Sequence, residues 1–266
     1  MKETEKPFDY VPIMPRGKKP RDKGLTAVRD IKARGMAELT DLCETVGEYL
    51  DFYKMACATQ RVLPKEIVKK KIDLLHKYEV MVSTGGFLER VLTYGPDITR
   101  RFIRDAKEMG FDILEISNGV ISISIEDKVR LIQFAREVGM KPLPEIAQAY
   151  GLTEATDVQI NVDLMLKEID DSIKAGAWKL LIEEEGLTEN VKEKNFDALG
   201  KLVSSFDVNQ LVFECGERGD FSWYVKKVGP EVNLHIDGEW VAYLEALRTG
   251  AWGKADVWGR SVIFPG

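Results

Sequence analysis

Cysteine is scarce in this chain, and the few present form no pattern. Cys43, Cys57 and Cys215 are three in number, with no CxxC spacing. That argues against a disulfide framework or a structural zinc site and fits a reducing, cytoplasmic setting. Histidine is limited to His76 and His235. No pairing with a thiol is legible, so a cysteine nucleophile is a minor reading. Long apolar runs are missing: nothing approaches the roughly 18 consecutive apolar residues of a membrane span. The stretch Met1-Lys-Glu-Thr-Glu5 lacks the apolar core of a signal peptide. An excess of positive charge is missing too, and a net charge of −6 gives no support for a nucleic-acid surface. Neither a membrane nor a nucleic acid is an expected partner.

Apolar residues are plentiful, at 44 % of 266 positions, enough for a sizeable core. A length of about 250 residues is typical of one (β/α)8 domain, although two ordinary domains also fit. Short apolar runs alternate with amphipathic stretches. Strands are predicted at 24–30, 49–55, 79–84, from Ile113 toward Gly119, and at 141–146, 178–184, 210–215 and 232–236. Helices are predicted at 36–48, 64–78, from Gly86 through Met109 with a break at Gly95-Pro96, and at 126–138, 162–175, 192–204, 219–228 and 238–249. Lys69-Lys70-Lys71 falls inside one of these helices and reads as a solvated face.

Strands and helices that alternate in this way imply a parallel sheet. Eight strand–helix units favour closure into a single-domain α/β (β/α)8 TIM barrel over 24–250. No GxGxxG follows the first strand, so the dinucleotide fingerprint is missing. Residues 1–23 read as an irregular N-terminal arm. Its basic cluster either folds toward an anionic ligand or is a solvated lead-in. Residues 147–160 form a loop longer than the usual ~2–6 residues of a βα connection. Residues 251–266, with Trp252, Trp258 and Phe264, read as a C-terminal tail packed on the barrel. No helix stripe singles out an oligomer interface, which leaves a homo-oligomer open.

Four predicted strands run apolar and finish on glutamate: Glu115, Glu145, Glu183 and Glu214. In a parallel barrel every strand C-terminus opens on one face, where the active site is built. One such glutamate reads as a strand-end ion-pair partner. Four in equivalent positions point to a carboxylate cluster at the mouth, an oxygen-rich set suited to Mg2+. Glu184 would face the other way on a regular strand.

Lys54, near the end of the second strand, must find water or a counter-charge. It would face the carboxylates, either as a general acid or base or as a cation that balances them. Asp51, three residues earlier, falls on the opposite face. Ser83-Thr84-Gly85-Gly86 ends the third strand, and backbone NH groups beside glycine can hold an anion, though two glycines also make a plain turn. Ser117 and Asn118, before Gly119, are read in the same way. His235 ends the eighth strand and can donate to a substrate oxygen, whereas His76 reads as structural.

These residues resemble a known family. Asp51-Phe-Tyr-Lys54, Gly85-Gly86, Gly110-Phe-Asp-Ile-Leu-Glu-Ile-Ser-Asn-Gly119, Glu145, Ala175-Gly-Ala177, Val212-Phe-Glu214, Gly229-Pro-Glu-Val-Asn-Leu234 and Leu244-Glu-Ala-Leu-Arg248 look like the phosphosulfolactate synthases, in order over roughly 22–250. The resemblance implies a (β/α)8 barrel that adds sulfite to phosphoenolpyruvate with magnesium, early in coenzyme M biosynthesis. It also brings in bacterial homologues and plant heat-stress-associated relatives. It implies a small anionic substrate, a metal held by the glutamates and Lys54 as the acid that protonates carbon.

The chain departs from that pattern at four places. The family's K-F-G-W-G-T is Lys54-Met-Ala-Cys-Ala-Thr59 here, and its E-x-R-E-S-G is Glu183-Glu-Glu-Gly-Leu187. F-E-A-P becomes Phe213-Glu-Cys-Gly216, and N-L-A-N becomes Asn233-Leu-His-Ile236. Three functions compete: the family reaction on the same or a shifted substrate, a non-catalytic or stress-linked relative acting through a partner, and a barrel lyase acting on an unphosphorylated carboxylate.

Overall fold

In a computed structural model of the chain, residues 6–148, 159–216 and 218–253 are described. Eight parallel strands close in sequence order. They are β1 (Thr26–Asp30), β2 (Phe52–Met55), β3 (Met81–Ser83), β4 (Ile113–Ile116), β5 (Lys141–Ile146), β6 (Leu180–Ile182), β7 (Leu211–Glu214) and β8 (Asn233–Asp237), and β8 pairs back onto β1. The helices are α1 (Met36–Val46), α2 (Thr59–Val62), α3 (Lys65–Lys77), α4 (Phe87–Leu92), α5 (Pro96–Met109), α6 (Ile125–Glu137), α7 (Val162–Ala175), α8 (Phe196–Ser205), α9 (Arg218–Lys227) and α10 (Val241–Thr249). None is long and apolar enough to cross a membrane.

The two-residue period of a strand divides the core. Residues such as Val28, Tyr53, Leu114, Ile116 and Phe213 point outward into the large cluster shared with the helices. Ala27, Phe52, Ile113, Leu143, Leu181 and Val212 form a separate cluster inside the barrel. Two residues further along each of those strands, on the same inward face, stand Arg29, Lys54, Glu115, Glu145, Glu183 and Glu214. One apolar layer therefore fills the barrel, and the layer above it, at the C-terminal mouth, is charged.

Helix ends follow local chemistry. Ser124 and Asn161 accept a hydrogen bond from the backbone N–H three residues on, at Asp127 and Leu164. Pro96 opens α5, and Gly110 closes it at a φ of 108°.

Several boundaries and one face differ from the sequence reading. Residues 49–51 precede β2 rather than begin it. The third and sixth strands shrink to three residues each, and the helix read at 192–204 starts at Phe196. Lys71 is not on a solvated face. It is 1 % exposed, and its Nζ lies 3.5 Å from Asp30 Oδ2, because α3 turns that side inward onto the barrel.

The arm's basic residues do not reach toward the mouth, and several are anchored at the far end, while Phe8, Tyr10, Val11 and Ile13 are exposed. Lys19 Nζ donates to the carbonyls of Gly47 and Tyr78, 2.7 Å each. Arg21 bonds Asp51 Oδ1 at 3.0 Å and the Glu48 carbonyl at 2.8 Å. Arg16 bonds Glu245 Oε2 at 2.9 Å. Gly47, Glu48, Asp51 and Tyr78 sit where helices hand over to strands, at the end opposite the mouth, and their carbonyls and carboxylate draw the cations down, while Glu245 lies within α10. Most of the loop read at 147–160 (149–158) and of the tail (254–266, with Trp258 and Phe264) lies outside the described residues. Trp252 is 56 % exposed.

Candidate active site

The C-terminal mouth holds a cavity of about 560 Å3. Lys54, Glu115, Glu145, Glu183 and Glu214 all line it. Residues from five strands thus meet around one space, because each stands two positions beyond an inward apolar residue.

Lys54 is the centre of charge. Its Nζ lies 2.8 Å from Glu115 Oε1. Burial alone would lower its pKa, but Glu115, Glu214 and Glu145 reverse this and hold the ammonium well above the ordinary lysine value. The ammonium therefore stays protonated. Asp51 is at the far end of the barrel, bonded by Arg21 and by the Thr26 N–H.

The four glutamates are not equivalent. Glu115 is paired with Lys54. Glu214 Oε1 receives Arg29 Nη1 at 2.6 Å, and its Oε2 lies 3.8 Å from His235 Nδ1. Burial pushes the Glu214 carboxyl up, but Lys54, His235 and Arg29 together hold it well below the usual range. Glu145 has a buried oxygen, Oε1, with no hydrogen-bond partner. Burial, with Glu115 and Glu214 nearby, pushes its pKa to about 8 against the pull of Lys54. Among the described residues, Glu183 Oε1 accepts from the N–H groups of Glu184 and Glu185, at 3.0 and 3.2 Å. Burial and its acidic neighbours push it up as well.

Among the described residues, no three acid, histidine or cysteine side chains are arranged to hold a metal ion. Magnesium usually takes one or two carboxylates and completes its shell with water and substrate oxygens. Glu145 and Glu183 fit that mode: both line the mouth, neither is within ion-pair distance of a cation among the described residues, and Glu145 has an orphaned buried oxygen.

The residues read as substrate-binding separate into two groups. Gly86 and Ser117 line the cavity. Ser83, Thr84, Gly85, Asn118 and His235 do not. Ser83 Oγ lies 3.5 Å from Glu115 Oε2 and accepts from the Gly85 N–H. Thr84 Oγ1 accepts from the Glu115 N–H at 3.3 Å. Gly85 has a backbone reason: its φ is 57°, and a Cβ there would meet the Met55 carbonyl at 2.5 Å. Asn118 Oδ1 is taken by Lys128 Nζ at 3.0 Å. His235 sits inside β8 rather than at its end, fully buried, and stacks on Phe52 with ring centroids 6.1 Å apart. Burial lowers its pKa even beside Glu214. His76, on α3, pairs with Asp112 at 2.8 Å.

The sequence reading missed three charged residues here. Arg29 follows the same apolar–x–charged pattern as Lys54, two positions past Ala27, and bridges Glu214 and Asp237. Glu89 of α4 is buried and takes the Ser117 hydroxyl and the N–H groups of Val120 and Ile121, pinning the loop after β4. Glu184 is 2 % exposed and receives the Gly216 N–H at 2.6 Å. Burial, with Glu214 and Glu189, raises it to about 8, against Arg29 and that N–H. No local pattern marks Glu89 or Glu184. Cys57 and Ala58, at the mouth, both hold left-handed φ values, 52° and 54°, a conformation that costs a side chain roughly 1–2 kcal/mol.

Comparison with known proteins bears on this site. The family model for (2R)-phospho-3-sulfolactate synthase (ComA) matches residues 14–254. The chain is similar to the phosphosulfolactate synthase of Methanothermobacter thermautotrophicus, 30 % identical, covering 92 % of this chain and 96 % of the relative. It is 31 % identical to that of Methanocaldococcus jannaschii, over 90 % of this chain and 95 % of the relative. It is also similar to the Arabidopsis thaliana protein HEAT-STRESS-ASSOCIATED 32, 23 % identical over 90 % of each. Among solved structures, 3-hexulose-6-phosphate synthase from Salmonella typhimurium superposes with a TM-score of 0.55 at 11 % identity, covering 84 % of this chain and 99 % of that one. The carboxyl transferase domain of Rhizobium etli pyruvate carboxylase gives 0.53 at 12 % identity, covering 88 % and 47 %. Those two likenesses concern the barrel alone. A model match of this extent, with a charged mouth layer carrying the Lys54, Glu115, Glu145 and Glu214 of the resemblance, identifies the chain as belonging to the phosphosulfolactate synthase family.

Proposed function

We propose that the chain is a carbon–sulfur lyase of this family, catalysing the magnesium-dependent addition of sulfite to phosphoenolpyruvate. The observation that carries the proposal is the set of four strand-end glutamates and Lys54 lining one cavity. In the addition, the sulfite sulfur attacks the methylene carbon and a C–S bond forms. The alkene electrons move toward the carboxylate, and a proton then reaches the adjacent carbon. Lys54, charged and aimed into the cavity, donates that proton, and Glu115 fixes its position. A magnesium ion held by Glu145 and Glu183 would supply Lewis-acid stabilisation of the carboxylate as it gains charge. Ser117 and Gly86 line the wall that a substrate would touch. Cys43, Cys57 and Cys215 form no disulfide, which supports a reducing, cytoplasmic setting for the reaction; the family resemblance alone supports a pathway of the coenzyme M type.

The test is direct. Phosphoenolpyruvate, sulfite and magnesium should give a new phosphorylated sulfonate by phosphorus NMR. The product should vanish with EDTA and in Glu115→Gln. A folded, magnesium-loaded protein that leaves both substrates untouched would overturn the proposal.

A second reading has its own observation. Glu89, Glu115, Glu145, Glu183, Glu185, Glu189 and Glu214 line the mouth against Arg29, Lys54 and Arg90. That balance favours a ligand with fewer negative charges, such as an unphosphorylated carboxylate. It predicts thermal protection by small carboxylic acids but none by phosphoenolpyruvate. A non-catalytic, stress-linked role acting through a partner predicts protection by neither.

A further inference from the structure

We propose that Glu184 fills an oxyanion corner beside the mouth cavity, against its lining residue Arg29, and that this side chain decides which anions the chain accepts. The inference rests on the mouth being the ligand site and not on which substrate enters it.

Gly216 follows β7 by two residues, and its N–H points at Glu184 Oε1, 2.6 Å away. Arg29 Nη1 lies 3.7 Å from the same oxygen. A Cβ placed on Gly216 would fall 2.4 Å from Arg29 Nη2 and 2.9 Å from Glu184 Oε1. The glycine therefore admits a guanidinium flush against the backbone. On the other side, Thr188 Oγ1 lies 3.5 Å from Glu184 Oε2. A glycine N–H and a guanidinium edge at one carboxylate oxygen, with a hydroxyl at the other, are donors of the kind that hold phosphate or sulfonate oxygens. The loops after strands seven and eight are where parallel barrels frequently hold phosphate. Here the chain supplies the oxygens itself.

Glu184 is well anchored for this. The turn after it folds back, and the N–H groups of Leu187, Thr188 and Glu189 donate to its own carbonyl at 2.9, 2.9 and 3.1 Å. Arg29 does not depend on it, because Glu214 and Asp237 hold the guanidinium at 2.6 and 2.8 Å. Glu184 acts by occupancy, in either protonation state. Removing it leaves a balanced arginine, a free N–H and a carboxylate-sized space.

Inorganic phosphate is the probe, since it binds without turnover and reports on the corner whatever the substrate is. Calorimetry should show Glu184→Ala binding phosphate at least about tenfold more tightly than the unmodified protein, or about 1.4 kcal/mol. Glu184→Gln keeps the shape and the bond from Gly216, so it should behave like the unmodified protein. Adding Arg29→Met to Glu184→Ala should abolish the gain. A folded Glu184→Ala without gain, or a gain in Glu184→Gln as large as in Glu184→Ala, would overturn the proposal.

A second measurement needs no variant. Carbonyl-13C cysteine with 15N glycine singles out Cys215-Gly216, the one Cys–Gly pair in the sequence. In the unmodified protein, phosphate should leave that amide resonance in place. Its movement on titration would show the corner open and refute the inference. Failure of phosphoenolpyruvate turnover alone would leave these results unchanged.

Discussion

Lys54 Nζ and Glu115 Oε1 stand 2.8 Å apart at the barrel mouth, and the same ammonium is drawn by Glu145 and Glu214. One cation thus balances a ring of carboxylates that would otherwise repel one another across a low-dielectric gap. The relationship predicts non-additive behaviour. In urea unfolding, Lys54→Met and Glu115→Gln together should cost less than the sum of the two alone, with a coupling of about 0.5–3 kcal/mol. Strict additivity would show that the pair does not interact in solution.

If Lys54 is the acid, its loss should fall on the chemical step. Lys54→Met should lower kcat by about 10²–10⁴-fold with a much smaller change in KM. An unchanged kcat would assign the proton to another group.

Metal binding should depend on pH through Glu145. Its carboxyl holds a proton up to about pH 8, and a ligand must be deprotonated. Below pH 8 magnesium therefore competes with the proton, so affinity should rise by up to about tenfold per pH unit and level off above. Calorimetry at several pH values reads this directly. A flat profile from pH 6 to 9 would exclude Glu145 as a ligand.

Lys19, at the opposite end, should shape stability at alkaline pH. Burial lowers its pKa to about 8, despite Asp51, and the unfolded value is about 10.4. Between those values the unfolded state binds more protons, so stability rises with pH across that window. The neutral amine can still donate to both carbonyls. Relative to Lys19→Met, the unmodified protein should therefore gain stability from pH 8 to about 10.4. Parallel stability curves for the two would contradict this.

Gly85 should prove structural rather than anion-binding. With a φ of 57° and the Met55 carbonyl 2.5 Å from its would-be Cβ, Gly85→Ala should cost at least about 1–3 kcal/mol. A stable Gly85→Ala with weakened substrate binding would restore the anion-binding reading.

The amino-acid sequence by itself determined the barrel and the four strand-end glutamates and Lys54 at its mouth. Strand periodicity is local, so an apolar residue followed two positions later by Glu115, Glu145, Glu183 or Glu214 fixes which way each carboxylate faces before any contact is known. Lys54 is legible on the same grounds, and Arg29 carries the same signal. Only the tertiary structure decided how those charges pair. Arg29 and Asp237 are 208 residues apart in sequence and meet because β1 closes on β8. Glu184 reaches Gly216 across 32 residues because strand order brings two loop starts together. The arm's cations went to the far end for the same reason: the carbonyls and Asp51 that hold them are gathered by the closed barrel, not by anything nearby in the chain. Which carboxylates are paired with a cation and which are not is a property of closure, because a charge is set by its neighbours in space.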